Sequence, residues 1–200
     1  MRDKGITRDH IITLCAKNNL NVGVPYIATQ FLGAKMASID PSFSPQEMNH
    51  LLNTVRPKII FATSESVRAI GEVLKEISLD AELVVFGKST NHTEFSEFLK
   101  PHAEEDKFEP VEIHDLKETA LIYFSSGTTG LPKGICLNHY GFLGHSLNSK
   151  VSKNVDEEWF ASVLPRMSFP PTILLYTSQY WISAGAMLLS SILEGYCRLI

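Results

Sequence analysis

The sequence predicts an α/β protein of stacked βαβ units around a largely parallel sheet. Three observations predict it. Short apolar, β-branched runs (HIITLCA at 10–16, KIIFA at 58–62, ELVVF at 82–86) recur along the first two-thirds of the 200 residues, with amphipathic stretches of helical length between them. Gly, Pro, Asp and Ser clusters punctuate these runs, as short connections require. Apolar residues make up 44% and charged residues 20% of the chain, the composition of an ordinary soluble globular protein.

Each element can be justified in order. His10 to Ala16 reads as a buried strand, Val22 to Lys35 as a helix with apolar positions at Val24, Ile27, Ala28, Phe31 and Leu32, and Met36 to Ile39 as a second strand. DPSFSPQE at 40–47 is a turn and a helix start: Ser44 is the N-cap, Pro45 takes the first helical position and Glu47 completes a capping box. That helix runs to Val55. Lys58 to Ala62 is the next strand, Ser64 or Ser66 starts the next helix, and Glu82 to Phe86 is the strand after it. From Gly87 to Lys117 the periodicity dissolves, which predicts a surface connection with one short helix near Phe95 to Leu99. Its acidic triplet Glu104-Glu105-Asp106 reads as a solvated face, and its sequon Asn91-His92-Thr93 as a polar turn. Thr119 to Phe124 is a strand. Met167 to Leu193 contains no charged residue, but Thr, Ser and Gln interrupt it and Pro170-Pro171 opens it, so it reads as a buried helix rather than a membrane span.

Charge and cysteine usage exclude several functions. The net charge is −4 and the basic residues are scattered, so no nucleic-acid surface is expected. Cys15, Cys136 and Cys197 are odd in number and far apart, which supports neither a disulfide framework nor a zinc site and fits a reducing, intracellular compartment. Residues 1–20 carry no secretory signal pattern.

The chemistry concentrates in YFSSGTTGLPKG, residues 123–134, directly behind the strand that starts at Thr119. A strand that runs into a Gly/Ser/Thr loop followed by a helix presents backbone N–H groups to phosphate oxygens. Ser125, Ser126, Thr128 and Thr129 add hydroxyl donors, and Gly127 and Gly130 let the main chain approach a ligand closely. Lys133 supplies positive charge, and Pro132 stiffens the loop before it. The loop is not a P-loop, because Gly134 follows the lysine where a magnesium-holding hydroxyl would stand. His139 and His145, after the loop, read as surface or capping residues, and Tyr180-Trp181 as core or pocket wall.

SSGTTGLPKG at 125–134 resembles the signature phosphate loop of the adenylate-forming superfamily, which comprises acyl-CoA synthetases, 4-coumarate–CoA ligases and insect luciferases. The resemblance extends upstream through GITRDHIITLCAKNN, QFLGAKMASIDPSFSPQEMNHLL and RPKIIFA, and downstream through YWISAGAMLLSSILEGYCRLI. It implies a partial N-terminal adenylation domain over residues 1–200 that uses ATP, Mg2+ and coenzyme A. The implied reaction joins a small-molecule carboxylic acid to the α-phosphate of ATP as an acyl-adenylate, then passes the acyl group to the thiol. By this resemblance Ser125, Ser126, Gly127, Thr128, Thr129 and Gly130 line the phosphates. Lys133 acts as the catalytic cation on the departing pyrophosphate.

The same comparison marks departures. Tyr180 and Trp181 stand where many members carry a Pro-Phe-His-His segment, and the segments that grip adenine and ribose and form the C-terminal lid are expected beyond residue 200. The alternative expectation is therefore a non-catalytic, truncated or degenerate chain with weak or no nucleotide binding, prone to aggregation through exposed apolar surface. Peroxisomal residence is common among similar proteins and cytoplasm is the other expectation, while the acid substrate and the choice between thiolation and light emission are not written in these residues.

Overall fold

The computed structural model describes residues 1–125, 130–144 and 172–200. The first unit runs β1 (Ile11–Cys15), α1 (Gly23–Phe31), β2 (Lys35–Ser38), α2 (Pro45–Val55), β3 (Ile59–Thr63), α3 (Ser64–Glu76) and β4 (Glu82–Phe86). A short β5 (Thr93–Glu94) and a 3-10 turn at Phe95–Leu99 follow, then β6 (Thr119–Ser125) and β7 (Lys133–Asn138). These strands form one seven-stranded sheet in the order β5-β4-β3-β1-β2-β6-β7, parallel throughout except for the antiparallel β6–β7 pair.

Strand parity sorts the core into two layers. Ile12, Leu14, Ile59 and Phe61 face one side with Tyr26 of α1, while Cys15, Ile60 and Ala62 face the other with Leu51 and Leu52 of α2 and Ile70 and Val73 of α3. The register Ile12↔Ile59 and Leu14↔Phe61 aligns the two sets, so each strand is buried on both faces, as a parallel sheet demands.

Local chemistry explains the helix ends. At α2, Ser44 Oγ accepts from the Glu47 amide at 3.3 Å and the Ser44 amide donates to Glu47 Oε2 at 2.8 Å, which is the expected capping box with Pro45 at the first position. The helix α1 is shorter than its periodicity predicts, because Gly33 takes a left-handed φ of 66° and Lys35 already belongs to β2. Its core face is also not the predicted one. Val24 and Phe31 are 45% and 47% exposed, whereas Tyr26 and Thr29 are fully buried.

Two further expectations are corrected. The loop after β6 is followed by a strand, so the site is a hairpin and presents no helix N-terminus; residues 139–144 become helical only after β7. The charge-free 167–193 stretch is not one buried helix: its first five residues lie outside the described set, Thr172–Leu174 form strand β8, and only Ile182–Glu194 form a helix, α4. The helix α4 buries Ala184, Gly185, Leu188 and Ser191 and exposes Ile182, Ile192 and Leu193. β8 pairs in parallel with β9 (Cys197–Leu199) as a separate two-stranded sheet. Among the described residues no helix is long and apolar enough to cross a membrane.

Candidate functional site

The candidate site is the tip of the β6–β7 hairpin. Ser125 and Lys133 are direct partners across its base, preceded by Phe124↔Gly134 and Tyr123↔Ile135. Both Ser125 and Lys133 are exposed, and Pro132 beside the lysine is buried, which anchors the returning strand. Gly130 has φ 111°, a conformation that side chains avoid, so the chain turns there because no Cβ is present. Ser126, Gly127, Thr128 and Thr129, the other predicted phosphate-lining residues, lie outside the described residues.

Lys133 makes no hydrogen bond or ion pair among the described residues. A lysine held at the base of a glycine-containing hairpin, with its ammonium uncommitted, is available to an anion. Among the described residues no group of three or more His, Cys, Asp or Glu could hold a metal ion, so none is assigned to Mg2+.

Side chains that sequence reasoning missed hold the hairpin from below. The Tyr123 and Tyr26 hydroxyls hydrogen bond at 2.7 Å inside the core, and neither has another partner among the described residues. Burial pushes the Tyr123 hydroxyl up to about 12, and burial followed by the Tyr123 hydroxyl raises Tyr26 well above the ordinary phenol value. The sequence signal was present: a tyrosine inside an apolar helix or strand must find a partner for its hydroxyl. Gly185 of α4 lies directly on this pair, where an added Cβ would overlap both hydroxyl oxygens.

The flanking residues also differ from expectation. His139 is buried at 8% exposure, not a surface residue, and burial holds its imidazole below the ordinary histidine value against the opposing charge of Glu118. The side chain of Asn138, rather than a histidine, caps the helical turn by accepting from the Gly141 amide at 2.8 Å. His145 lies outside the described residues. Trp181 is 60% exposed, so it is not core; it is the N-cap residue of α4, 6.5 Å from the Tyr180 ring.

A cavity of about 280 Å3 sits between the hairpin strands and the first turn of α4, lined by Leu121, Tyr123, Leu137, Phe142, Ile182 and Ala186 among others. Its walls are apolar, so it suits the hydrocarbon or aryl part of a small molecule. A larger cavity of about 640 Å3 lies away from the hairpin, between the exposed Val24–Phe31 stripe of α1 and the Phe95–Leu99 turn, and takes no residue from the predicted site.

The sequence pattern of the AMP-binding enzyme family matches residues 1–199. The chain belongs to that family. Among relatives of the family, luciferin 4-monooxygenase of Luciola mingrelica is 29% identical over 149 residues, covering 70% of this chain and 27% of that enzyme. The luciferase-like enzyme of the nonluminescent mealworm Zophobas morio superposes with a TM-score of 0.82 at 38% identity, over 98% of this chain and 43% of that structure. A long-chain-fatty-acid-CoA ligase from Archaeoglobus fulgidus shares the fold at a TM-score of 0.76 and 21% identity, over 98% of this chain and 36% of that one. The chain thus spans less than half the length of each of these relatives. The mostly parallel sheet is the sheet of the adenylate-forming fold.

Proposed function

We propose that residues 1–200 are part of an adenylation domain that activates a carboxylic acid with ATP, and that the β6–β7 hairpin holds the β- and γ-phosphates of the nucleotide. The carrying observation is the exposed Lys133, without a partner among the described residues and paired opposite Ser125 at the base of a glycine-containing hairpin, in a chain of the AMP-binding enzyme family. Negative charge grows on pyrophosphate as it leaves the α-phosphate. A cation and hydroxyl donors placed at the outer phosphates therefore stabilise the transition state more than bound ATP, and lower the barrier rather than merely tightening binding.

In this reading the Lys133 ammonium and Ser125 hydroxyl contact phosphate oxygens, together with Ser126, Gly127, Thr128, Thr129 and Gly130, and the apolar cavity beside α4 receives the non-carboxylate end of the acid. Transfer of the acyl group to coenzyme A belongs to the same proposal. A second reading, a chain that binds nucleotide weakly or not at all and is not catalytic by itself, is favoured by the apolar residues exposed on α4 and β9, Ile182, Ile192, Leu193 and Leu199.

Titration calorimetry with MgATP separates the two, with Lys133→Ala as the control. Loss of one charge-assisted hydrogen bond is worth about 1.5–3 kcal/mol, so the substitution weakens MgATP binding by about 10- to 150-fold. Because Lys133 is exposed and has no partner among the described residues, stability changes by less than about 0.5 kcal/mol. Equal affinities for the two proteins refute the phosphate role of the hairpin, and exchange of labelled pyrophosphate into ATP with a panel of fatty and aryl acids then tests the chemistry.

A further inference from the structure

We propose that the Tyr26–Tyr123 hydroxyl pair, seated on Gly185, is the contact through which α4 sets the position of the Ser125–Lys133 hairpin, which makes Tyr123 a positioning residue for phosphate binding. The proposal rests on the phosphate reading of the hairpin for its functional meaning and on geometry for the coupling itself.

The geometry begins with what does not hold the end of β6. The ladder to β2 comprises Met36↔Leu121 and Ala37↔Ile122 and stops there, so residues 123–125 are paired only with β7. On its other side, β7 pairs with no further strand among the described residues. The three outermost pairs of the hairpin thus lie beyond the ladder to β2. A register irregularity between Thr119 and Leu121 interrupts the β6–β7 ladder at its opposite end.

Tyr123 supplies the missing tie. It precedes Ser125 by two residues and so shares its face of the strand. Its side chain reaches into the core, where it is 6% exposed and bonds to a Tyr26 that is 0% exposed. Gly185 closes the contact from above, since the absence of a side chain brings the α4 backbone against both hydroxyls. Other α4 residues pack on the same cluster: Leu188 belongs to the core layer that contains Tyr26 and Tyr123. A shift of α4 toward the sheet therefore presses on the hydroxyl pair, and Tyr123 carries the displacement to Ser125.

Amide hydrogen exchange of the full chain, read by mass spectrometry with and without MgATP, tests this. Gly185→Ala inserts a methyl group where both hydroxyls lie, and exchange in 120–125 and 133–138 rises about tenfold while 11–15 and 59–63 stay protected. Adding Tyr26→Phe and Tyr123→Phe removes the two oxygens that the methyl overlaps and restores the hairpin's protection. Tyr123→Phe alone, a milder change that keeps the core shape, gives the same local loosening if Gly185→Ala does not fold. Unchanged exchange in the hairpin, or loosening spread equally over β1 and β3, overturns the coupling. If the local effect appears and MgATP protects nothing in wild type, the coupling stands and the phosphate reading alone fails.

Discussion

Tyr123→Phe tests whether the buried hydroxyl pair is a net source of stability or a liability that is tolerated only because it is matched. The two oxygens are 2.7 Å apart in the core, and each is the other's sole partner among the described residues. Removing one leaves the other desolvated with nothing to bond to, which costs about 1–3 kcal/mol, whereas removing both leaves an apolar contact of nearly the same shape. Tyr123→Phe and Tyr26→Phe should each destabilise by that amount, and the double variant should be more stable than either, within about 1 kcal/mol of wild type. Urea titration of the four proteins at pH 8 measures the cycle, and for a chain of this size each kcal/mol also appears as about 2–4 °C in Tm. The alkaline limb checks the same pair. The folded-state pKa of Tyr123 is about 12 against an ordinary value of 10.0, so the folded state favours the neutral phenol. Its contribution is therefore full below pH 10 and is lost as pH rises through 12, and the double phenylalanine variant should lose less stability over that window. Additive single-variant losses, or a double variant as unstable as their sum, would refute the matched-pair reasoning.

Two further outcomes follow from local chemistry. Burial, reinforced by the charge of Asp40, pushes the Cys15 thiol up to about 12, while Cys136 and Cys197 are exposed; iodoacetamide at pH 8 should label those two in the folded protein and Cys15 only after unfolding, and three labels in the native state contradict the burial. Ser44→Ala should lower stability by about 1 kcal/mol in urea titration at neutral pH. Hydrogen bonds from the Ser44 side chain and amide depress the Glu47 carboxyl below its ordinary value, so its part of the cap is present above that value and is lost as pH falls through the folded one. The gap between Ser44→Ala and wild type should narrow in acid, and a gap that widens there would argue against the capping box.

Those features were legible in the sequence because they are local. Ser44, Pro45 and Glu47 define a helix start within four residues, and the strands at Ile11–Cys15, Ile59–Thr63 and Glu82–Phe86 follow from runs of apolar side chains that need two buried faces. The hairpin residues stood out as a candidate site for the same reason, since Ser125, Gly130 and Lys133 lie within nine positions of one another. What failed were several inferences about which remote side chains an element would meet. Val24 and Phe31 satisfied the helical period of α1, yet Tyr26 faces the core, because β6 and α4 offered a hydroxyl partner and a glycine surface that lie 97 and 159 positions away in the chain. The strand after the loop, the burial of His139 and the partial exposure of α4 escaped in the same way.

The amino-acid order alone thus determined the α/β class and the strands and helices up to Phe86, which depend on spacing over a few positions, and it named the residues proposed here for a phosphate. Only the tertiary structure decided the direction of β7, the core face of α1 and the tyrosine pair beneath the hairpin. Those depend on distances between segments remote in the chain, and periodicity carries no record of which remote surface will be there.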